Sequence, residues 1–408
     1  MVFLSLRVNA LSGDTYLFAE VDGKYGVYTL RELYELHKQG RAIKVPALLN
    51  ERGEKGWVEV EDVVSCEKQS LKRITLATTR LYVEASKNAI IPAFSSRLFS
   101  GREKRINLKF KPVNELTFAN DPTFSDTLLT AIRIPLNIPI GTQNDWEYGF
   151  CLGFFISEGN FEYRRRSFTK RSLAILNGFA RKMEMSLEDY LKFTTEILRV
   201  DITVGQQDFE RKYVDILLKH FKFAKPNIRK SDNSIMLYSS DKKFIHLIKD
   251  YIDGFNAHTK RLKNEAYNRS FKFLEGIMDG YLSGDAHYNV ENNHFDVGMT
   301  ENYLLYNDLI FLAKILGYDV HLNKDIFVKN FKTGKIYHVL RLKVFKQFKR
   351  NSALGFVKEH IKTVEDASVK ESFNLVLKPL YPKDNKRSFF NNLYFTAYGF
   401  LVSDAIKT

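Results

Sequence analysis

Two apolar stretches that each end in a carboxylate constrain the fold of this chain more than any other feature. The first reads YGFCLGFFISEGN and the second reads FLEGIMDGYLSGDA. In each stretch a glycine stands five residues before the acid, Gly153 before Glu158 and Gly280 before Asp285. A helix that is apolar around most of its circumference is buried, and small residues on a buried face let two helix backbones approach closely. The pattern predicts two helices that pack on each other, with their carboxylates side by side at one end.

Two adjacent carboxylates form a site for a hard divalent cation. Mg²⁺ takes oxygen ligands and commonly uses one or two carboxylates together with the phosphates of a substrate. Metal ions held in this way activate water for phosphodiester hydrolysis. We therefore predict that Glu158 and Asp285 are catalytic metal ligands for Mg²⁺, with Mn²⁺ able to substitute, and that Gly153 and Gly280 are helix-packing residues.

The net charge indicates which phosphate such a site would meet. The chain has 62 Lys and Arg against 48 Asp and Glu, a formal charge of +14. A surplus of this size indicates a polyanionic partner, either nucleic acid or an acidic membrane surface. No apolar run approaches the ~18 residues of a membrane span, and the first residues lack the apolar core of a signal peptide. These features favour DNA as the partner of a cytoplasmic, nucleoid-associated protein, which we expect to be a monomer.

The cysteines exclude further classes of protein. There are two, Cys66 and Cys151, which is too few for a disulfide framework or for a Cys-rich zinc site. The composition therefore argues against a secreted mini-protein, a membrane protein and a zinc-finger array.

The outer parts of the chain are typical of β structure. Short apolar runs separated by Gly- and Asn-containing turns fill residues 2–100, and the last residues return to short extended runs. A proline-bearing segment at 134–139 marks a boundary. We predict that residues 1–145 and 374–408 form one all-β domain, with a basic DNA-contacting segment near 96–111.

The middle of the chain, residues 146–373, alternates helical and extended segments. A coarse duplication begins with each acidic stretch, which predicts an α/β unit of two half-repeats, about 146–268 and 269–373. One of its last elements is a predicted helix over 350–361. Together with the outer domain this gives a multi-domain chain in which the α/β unit interrupts a β domain.

Basic side chains cluster directly after the first acid. Within residues 164–171, five of eight are Lys or Arg. On a strand, alternate side chains of this run would face DNA, with Arg reading guanine and both types holding phosphate; a solvated basic face is the alternative. The full set of predicted DNA contacts is Arg164, Arg165, Arg166, Lys170, Arg171, Arg229, Lys230, Arg341, Lys343, Arg97, Arg102, Lys104 and Arg105.

The two acidic stretches resemble those of the two-motif LAGLIDADG homing endonucleases. The helix signature of that family is Gly, four residues, Asp or Glu, then Gly. The second stretch is similar throughout, except that Ala286 stands where glycine is usual, and Ser157 and Asn160 are tolerated variants in the first. The resemblance implies a pseudo-twofold α/β unit whose antiparallel sheets lie on the DNA major groove. It also implies an enzyme that cuts double-stranded DNA at a long specific site.

Members of this family often place one lysine per half near the metal site, where it stabilises developing charge. The run HTKRL resembles the first of these segments and nominates Lys260, with Lys263 standing where proline is usual. The run VKE nominates Lys370 in the second half. For both lysines a plain surface role remains an alternative.

The outer parts of the chain resemble an intein, a Hint-type splicing domain. The run ALSGDT looks like the start, where the family expects Cys or Ser in place of Ala10. The run YGFLVSD looks like the end, where His-Asn is expected in place of Ser403 and Asp404. The run TTRL resembles the internal Thr-x-x-His motif, with Leu81 in place of the histidine. The resemblance implies a Hint-like domain split by an inserted endonuclease, in a prokaryotic or phage host.

The substituted positions remove the chemistry of splicing. Acyl transfer needs a thiol or hydroxyl, which Ala10 lacks, and Leu81 cannot donate a proton. Asp404 lacks the amide nitrogen that cyclises, and Ala405 after it carries no nucleophile. We therefore predict a free-standing nuclease derived from an intein that no longer splices. Two alternatives stay open, a splicing-competent or self-cleaving intein and a nuclease-dead DNA-binding protein. Retention of both acids argues against the second.

Overall fold

Both ends of the chain contribute strands to one large antiparallel sheet. The structure is a computed structural model that describes residues 10–94, 99–100, 105–106, 108–118, 126–163, 170–183, 186–187, 197–205, 213–224, 227–228, 234–254, 256–322, 326–329, 334–347, 355–381 and 393–403. The described strands are β1 (Leu11–Ser12), β2 (Tyr16–Val21), β3 (Lys24–Thr29), β4 (Ile43–Leu48), β5 (Lys55–Leu76), β6 (Tyr82–Ser86), β7 (Ile90–Phe94), β8 (Phe99–Ser100), β9 (Arg105–Ile106), β10 (Lys109–Pro112), β11 (Thr127–Ala131), β12 (Gly159–Tyr163), β13 (Ile197–Val204), β14 (Asn227–Ile228), β15 (Ile235–Ser239), β16 (Ile252–Asp253), β17 (Arg261–Leu262), β18 (Ala286–Asn289), β19 (His294–Thr300), β20 (Asp319–Leu322), β21 (Ile326–Lys329), β22 (Ile336–Phe345), β23 (Phe356–Leu377), β24 (Leu393–Phe395) and β25 (Leu401–Ser403).

The described helices lie mainly in the middle of the chain. They are α1 (Leu30–Lys38), α2 (Gln143–Glu158), α3 (Lys170–Lys182), α4 (Tyr213–His220), α5 (Lys242–Tyr251), α6 (Phe271–Asp285) and α7 (Tyr303–Leu316), with short 3₁₀ helices at Val113–Glu115 and Asn264–Asn268. None of these helices has both the length and the apolar composition that a membrane crossing would need.

The large sheet contains twelve of the described strands, β1–β7, β10, β11 and β23–β25, and its main path runs β10-β7-β11-β23-β1-β6-β5-β4-β2-β3. The 22-residue strands β5 and β23 pair along most of their length, from Ile361 with Leu76 to Leu377 with Val60. This pairing joins the two ends of the chain, since β5 precedes the α/β unit and β23 follows it.

The α/β unit consists of two antiparallel sheets and the helices packed against them. The first sheet has the order β12-β13-β15-β14, and the second has the order β18-β19-β22-β20, with β21 paired to β22. Each sheet follows directly from the end of one acidic helix, because β12 begins after α2 and β18 begins after α6. The structure confirms the coarse prediction of a mostly β molecule with an α/β part.

Side-chain caps fix where the acidic helices begin. Thr142 and Asp145 form a reciprocal capping box at the start of α2, and the Ser270 side chain accepts a hydrogen bond from the Phe273 amide at the start of α6. Such caps satisfy amide groups that have no partner within the helix. Both helices therefore begin at fixed points, and their carboxylates stand in the final turn.

The two units share one core. The ring of Phe18 on β2 contacts Tyr267 at 5.6 Å and Phe311 on α7 at 5.8 Å between ring centroids. The Tyr398 hydroxyl near the chain end donates to Asn307 of α7 at 2.7 Å. Aromatic packing of this kind buries large apolar areas, so the two units support each other.

The end of the α/β unit differs from the sequence prediction. Residues 356–361 are the first part of β23 and not the end of a helix over 350–361. The chain therefore returns to the large sheet at residue 356, before the predicted boundary at 373. Within this segment Glu359 is 2% exposed and accepts hydrogen bonds from the amide and hydroxyl of Thr79. Pairing with distant strands overrides the local helical pattern.

Candidate active site

Helices α2 and α6 cross with their backbones in direct contact. A Cβ atom at Gly153 would lie 1.9 Å from the carbonyl oxygen of Ile277, and one at Gly280 would lie 2.1 Å from the carbonyl oxygen of Phe150. Contacts of real Cβ atoms below 3.0 Å essentially do not occur. Only glycine at these two positions permits the approach.

A second pair of glycines repeats the arrangement one turn earlier. A Cβ atom at Gly149 would lie 2.1 Å from the carbonyl oxygen of Phe273, and one at Gly276 would lie 2.1 Å from that of Trp146. Each helix thus supplies a glycine that meets a carbonyl group of the other helix. The matching glycines, Gly149 and Gly276, are 127 residues apart. This reciprocity places a pseudo-twofold axis between the helices.

The last turns of the two helices bring the acids to the same end of the pair. A Cβ atom at Gly284 would lie 2.1 Å from the Ser157 hydroxyl oxygen and 3.0 Å from Cγ of Glu158. The residue before Asp285 therefore touches the side chain of Glu158. Both acids stand where a helix gives way to the first strand of its sheet.

Asp285 is exposed as a residue, but protein atoms surround its carboxyl group. This enclosure raises its pKa from 3.8 to about 6, against smaller lowering effects of the Tyr281 hydroxyl and the Lys260 ammonium. The Tyr281 hydroxyl is buried and lies close to this carboxylate. A cation bound at Asp285 would favour the ionised carboxylate.

Lys260 lies beside the acids and is 3% exposed, whereas residues 256–259 before it are exposed. Its ammonium donates to three backbone carbonyl groups around the end of α2, those of Ile156 at 2.5 Å, Gly159 at 2.9 Å and Phe155 at 3.4 Å. Burial lowers the pKa of Lys260 to about 8, while the carboxylates of Asp285 and Glu158 oppose that shift. The structure thus brings together three of the four predicted catalytic residues.

The donor set of this site fits Mg²⁺. Carboxylate oxygens are the ligands that this ion prefers, and Mg²⁺ usually completes its shell with water and substrate phosphate. No group of three or more His, Cys, Asp and Glu side chains in the described parts of the chain is arranged for a metal ion. An ion held by the two carboxylates of Glu158 and Asp285 would take its other ligands from water and substrate.

Lys370 lies in a different place. It stands on β23 in the large sheet, where its ammonium pairs with Glu84 at 2.9 Å and with Asp14 at 3.3 Å. These side chains border a cavity of about 230 Å³ between the β unit and α7. This corrects the prediction that Lys370 serves the acid pair, because the pairing of β23 with β5 carries the lysine into the large sheet.

Most of the predicted DNA contacts fall outside the described residues or outside the described side chains. Lys170 and Arg171 begin α3 by their backbone, so they belong to a helix that follows the strand β12. Arg105 belongs to β9 by its backbone. The residues outside the described part are Arg164, Arg165, Arg166, Arg229, Lys230, Arg97, Arg102 and Lys104.

Arg341 and Lys343 lie on the outer face of the second sheet. On β22 the alternating residues Leu340, Leu342 and Val344 are buried, which directs the two basic side chains away from the core. Arg341 is exposed and lies opposite Gly298 of β19, which has no side chain to cover it.

The same outer faces carry residues that the sequence analysis missed. In the second sheet Lys343 lies between Asp296 of β19 and His321 of β20, its neighbours on the paired strands. In the first sheet Arg199 pairs with Asp201 at 2.8 Å and its guanidinium lies 4.5 Å from the Tyr238 ring centroid. Strand alternation could have indicated these residues, but the pairing of distant strands could not be predicted from the sequence.

The positions that resemble splicing residues are buried. Ala10 and Leu81 are fully buried, and Ser403 is 2% exposed and pairs with Leu393. The carbonyl group of Ala10 accepts a hydrogen bond from the Ser86 amide at 2.8 Å. Asp404 lies outside the described residues.

Comparison with known proteins gives partial structural likeness. No protein-family model and no curated protein sequence matches the chain. A crystal structure of an I-DmoI variant in complex with its target DNA and manganese is 13% identical, covers 50% of this chain and 88% of that chain, and has a TM-score of 0.30. An intein from a hyperthermophile is 19% identical over 30% of this chain and 72% of that chain, with a TM-score of 0.24. The Pab PolII intein is 21% identical over 33% of this chain and 71% of that chain, with a TM-score of 0.23.

Proposed function

We propose that this protein is a site-specific endonuclease for double-stranded DNA, of the LAGLIDADG homing type, that hydrolyses phosphodiester bonds with Mg²⁺. One observation carries the proposal. Glu158 and Asp285 end a pair of glycine-packed helices at the same point, and the buried ammonium of Lys260 lies beside them. A purely structural helix pair has no need for two carboxylates and a buried lysine at one end.

Glu158 and Asp285 would hold the divalent ion. When bound, Mg²⁺ or Mn²⁺ lowers the pKa of water and neutralises charge on the phosphate oxygens. The two carboxylates come from different helices, so the close packing of these helices is what brings them together. Because the two acids directly precede β12 and β18, a phosphate bound there would lie next to both sheets.

Lys260 supplies positive charge at the same place. Its three carbonyl partners fix the position of the ammonium without neutralising it. An ammonium held in this way stabilises negative charge that develops on a phosphate in the transition state.

The two sheets offer the surface for DNA. Arg341 and Lys343 point away from the core of the second sheet, and Arg199 does so in the first. A net charge of +14 adds long-range attraction to a polyanion. Two sheets related by the pseudo-twofold axis would contact two half-sites, which suits a monomer that reads one long target.

We also propose that the β unit derives from an intein that no longer splices. The support for lost splicing is chemical, since Ala10 has no nucleophile and Leu81 has no proton donor. The alternative, a self-cleaving intein, predicts mass loss at residue 10 or 404. Mass spectrometry of the purified chain after days with thiols should instead find the full length.

The test of the proposed function separates binding from cleavage. Glu158→Gln and Asp285→Asn should lose cleavage by at least about a hundredfold and keep or improve DNA affinity, because each removes a negative charge near phosphate. The matched control is Asp366→Asn, which changes a carboxylate that pairs with Lys72 at the surface. A nuclease-dead DNA-binding protein would bind a selected site but cut it in no variant, and the wild type would be equally inactive.

A further inference from the structure

The segment that carries Lys260 belongs to the first half-repeat, but it is held by a helix of the second. Residues 256–259 are exposed, and β17 pairs only with the two-residue strand β16 in the described sheets. The start of α7 and its middle turn contact this segment through hydrogen bonds. The contacts between them are made by Asn302 and Asp308.

Asn302 uses its whole side-chain amide at this contact. It is 2% exposed, and its Nδ2 donates to the carbonyl oxygen of Lys260 at 2.8 Å and to that of Ala257 at 2.9 Å. Its Oδ1 accepts from the Leu305 amide at 3.1 Å and caps α7. One side chain therefore fixes the start of α7 and the backbone of Lys260 together.

Asp308 makes a second attachment two residues further along. It is 1% exposed, and its carboxylate accepts from the Leu262 amide at 2.7 Å and lies 3.5 Å from the Arg261 guanidinium. Lys260 is thus attached through its carbonyl group on one side and through the next two residues on the other. A buried carboxylate with these partners holds backbone in place, since breaking its contacts would leave it unsatisfied.

We propose that Asn302 and Asp308 are positioning residues for the Lys260 ammonium, so that α7 of the second half-repeat completes the acid site of the first. The inference rests on the proposed function for its catalytic meaning and on geometry for the positioning itself. Without these contacts the segment has few ties of its own, and the ammonium would leave the carbonyl groups at the end of α2. The site would keep both carboxylates and lose its fixed positive charge.

Labelling of lysines tests the positioning without any need for DNA cleavage. A short pulse of acetic anhydride, followed by peptide mass spectrometry, measures how often each buried lysine opens to solvent. Asn302→Asp keeps a cap for α7 but turns a carboxylate toward two carbonyl oxygens. We expect about tenfold faster labelling at Lys260 and unchanged labelling at Lys314, which is equally buried on α7. Asn302→Ser keeps the cap without added charge and is the second variant if Asn302→Asp does not fold.

The matched control is Asn268→Asp. The Asn268 amide also donates to two backbone carbonyl groups, those of Tyr25 at 2.7 Å and Asn264 at 2.9 Å, but at the contact with the β unit. It should leave labelling at Lys260 unchanged. Equal labelling of Lys260 in the wild type and in both Asn302 variants, or a rise shared by Lys314, would overturn the positioning.

Cleavage provides the second readout. On a target site that the wild type cuts, Asn302→Asp should lower the single-turnover rate about tenfold to a hundredfold with DNA affinity unchanged, while Asn268→Asp keeps the wild-type rate. In a Lys260→Met background the Asn302 substitution should cost nothing further, because a positioning residue acts only through the group it positions. Additive losses would contradict the proposal. A wild type that cuts no DNA would overturn the proposed function and leave the labelling comparison to decide the positioning.

Discussion

At the residue scale, the acid site contains charged groups whose surroundings oppose their ordinary ionisation. Enclosure raises the pKa of Asp285 to about 6, and burial lowers that of Lys260 to about 8. Such a pair is costly in the free protein, and the proposed cation and phosphate would compensate that cost. Shifted groups of this kind cluster at functional sites.

The shift at Asp285 makes a prediction about stability. Because folding raises the pKa of this carboxyl group, the stability it contributes is present below about pH 4 and is lost as the pH rises through about 6. In EDTA, Asp285→Asn should therefore melt at a higher temperature than the wild type at pH 7 and at a similar temperature at pH 4. Thermal unfolding followed by circular dichroism measures the difference. A gain that is constant over this range, or that shrinks with pH, would contradict the assignment.

At the element scale, the helix pair α2 and α6 depends on glycine. The Cβ atom of Gly153→Ala would lie 1.9 Å from the Ile277 carbonyl oxygen, so the helices must separate. We expect a loss of about 3 kcal/mol or more in the free energy of unfolding. The control is Gly178→Ala on α3, where the new methyl group meets nothing within 4 Å and should stabilise the helix by about 0.5–1 kcal/mol. Urea denaturation measures the free energy of unfolding of both variants. Equal changes in the two variants would contradict the close packing of the helices at Gly153.

Some of these elements could be predicted from the sequence and others could not. The acidic helices are predictable because glycine, apolar residues and acid lie within one short stretch, as in Gly153 to Glu158. The predicted helix over 350–361 and the predicted role of Lys370 were wrong because the partners are distant in sequence. Thr79 lies 280 residues from Glu359, and Glu84 lies 286 residues from Lys370. A strand whose partners are that distant carries no local signal of its pairing.

The residues around Lys260 lay beyond sequence reasoning for a different reason. Asn302 has the ordinary appearance of a helix cap, and Asp308 looks like a surface acid within α7. Their roles come from the contact between half-repeats, which no single stretch of sequence contains. Resemblance could nominate Lys260, but only the fold brings it to the end of α2.

At the scale of the whole molecule, the β unit and the α/β unit are joined by Phe18 and its partners. Phe18→Ala would remove the ring contacts to Tyr267 and Phe311 and leave a cavity, at a cost of about 3–5 kcal/mol. Since the core is continuous, calorimetry should find one transition that moves as a whole to lower temperature. Two transitions, of which only one moves, would mean that the units fold independently.

The most direct test of the central claim is to incubate the chain and Mg²⁺ with a library of randomised duplex DNA and to sequence the new ends. A paired acid site on a pseudo-twofold scaffold predicts ends that cluster at one sequence, with a fixed offset between the two strands. Glu158→Gln, assayed in parallel, should yield none of these ends. The account would be contradicted if the wild type produced no ends, or if Glu158→Gln produced the same ends at the same rate.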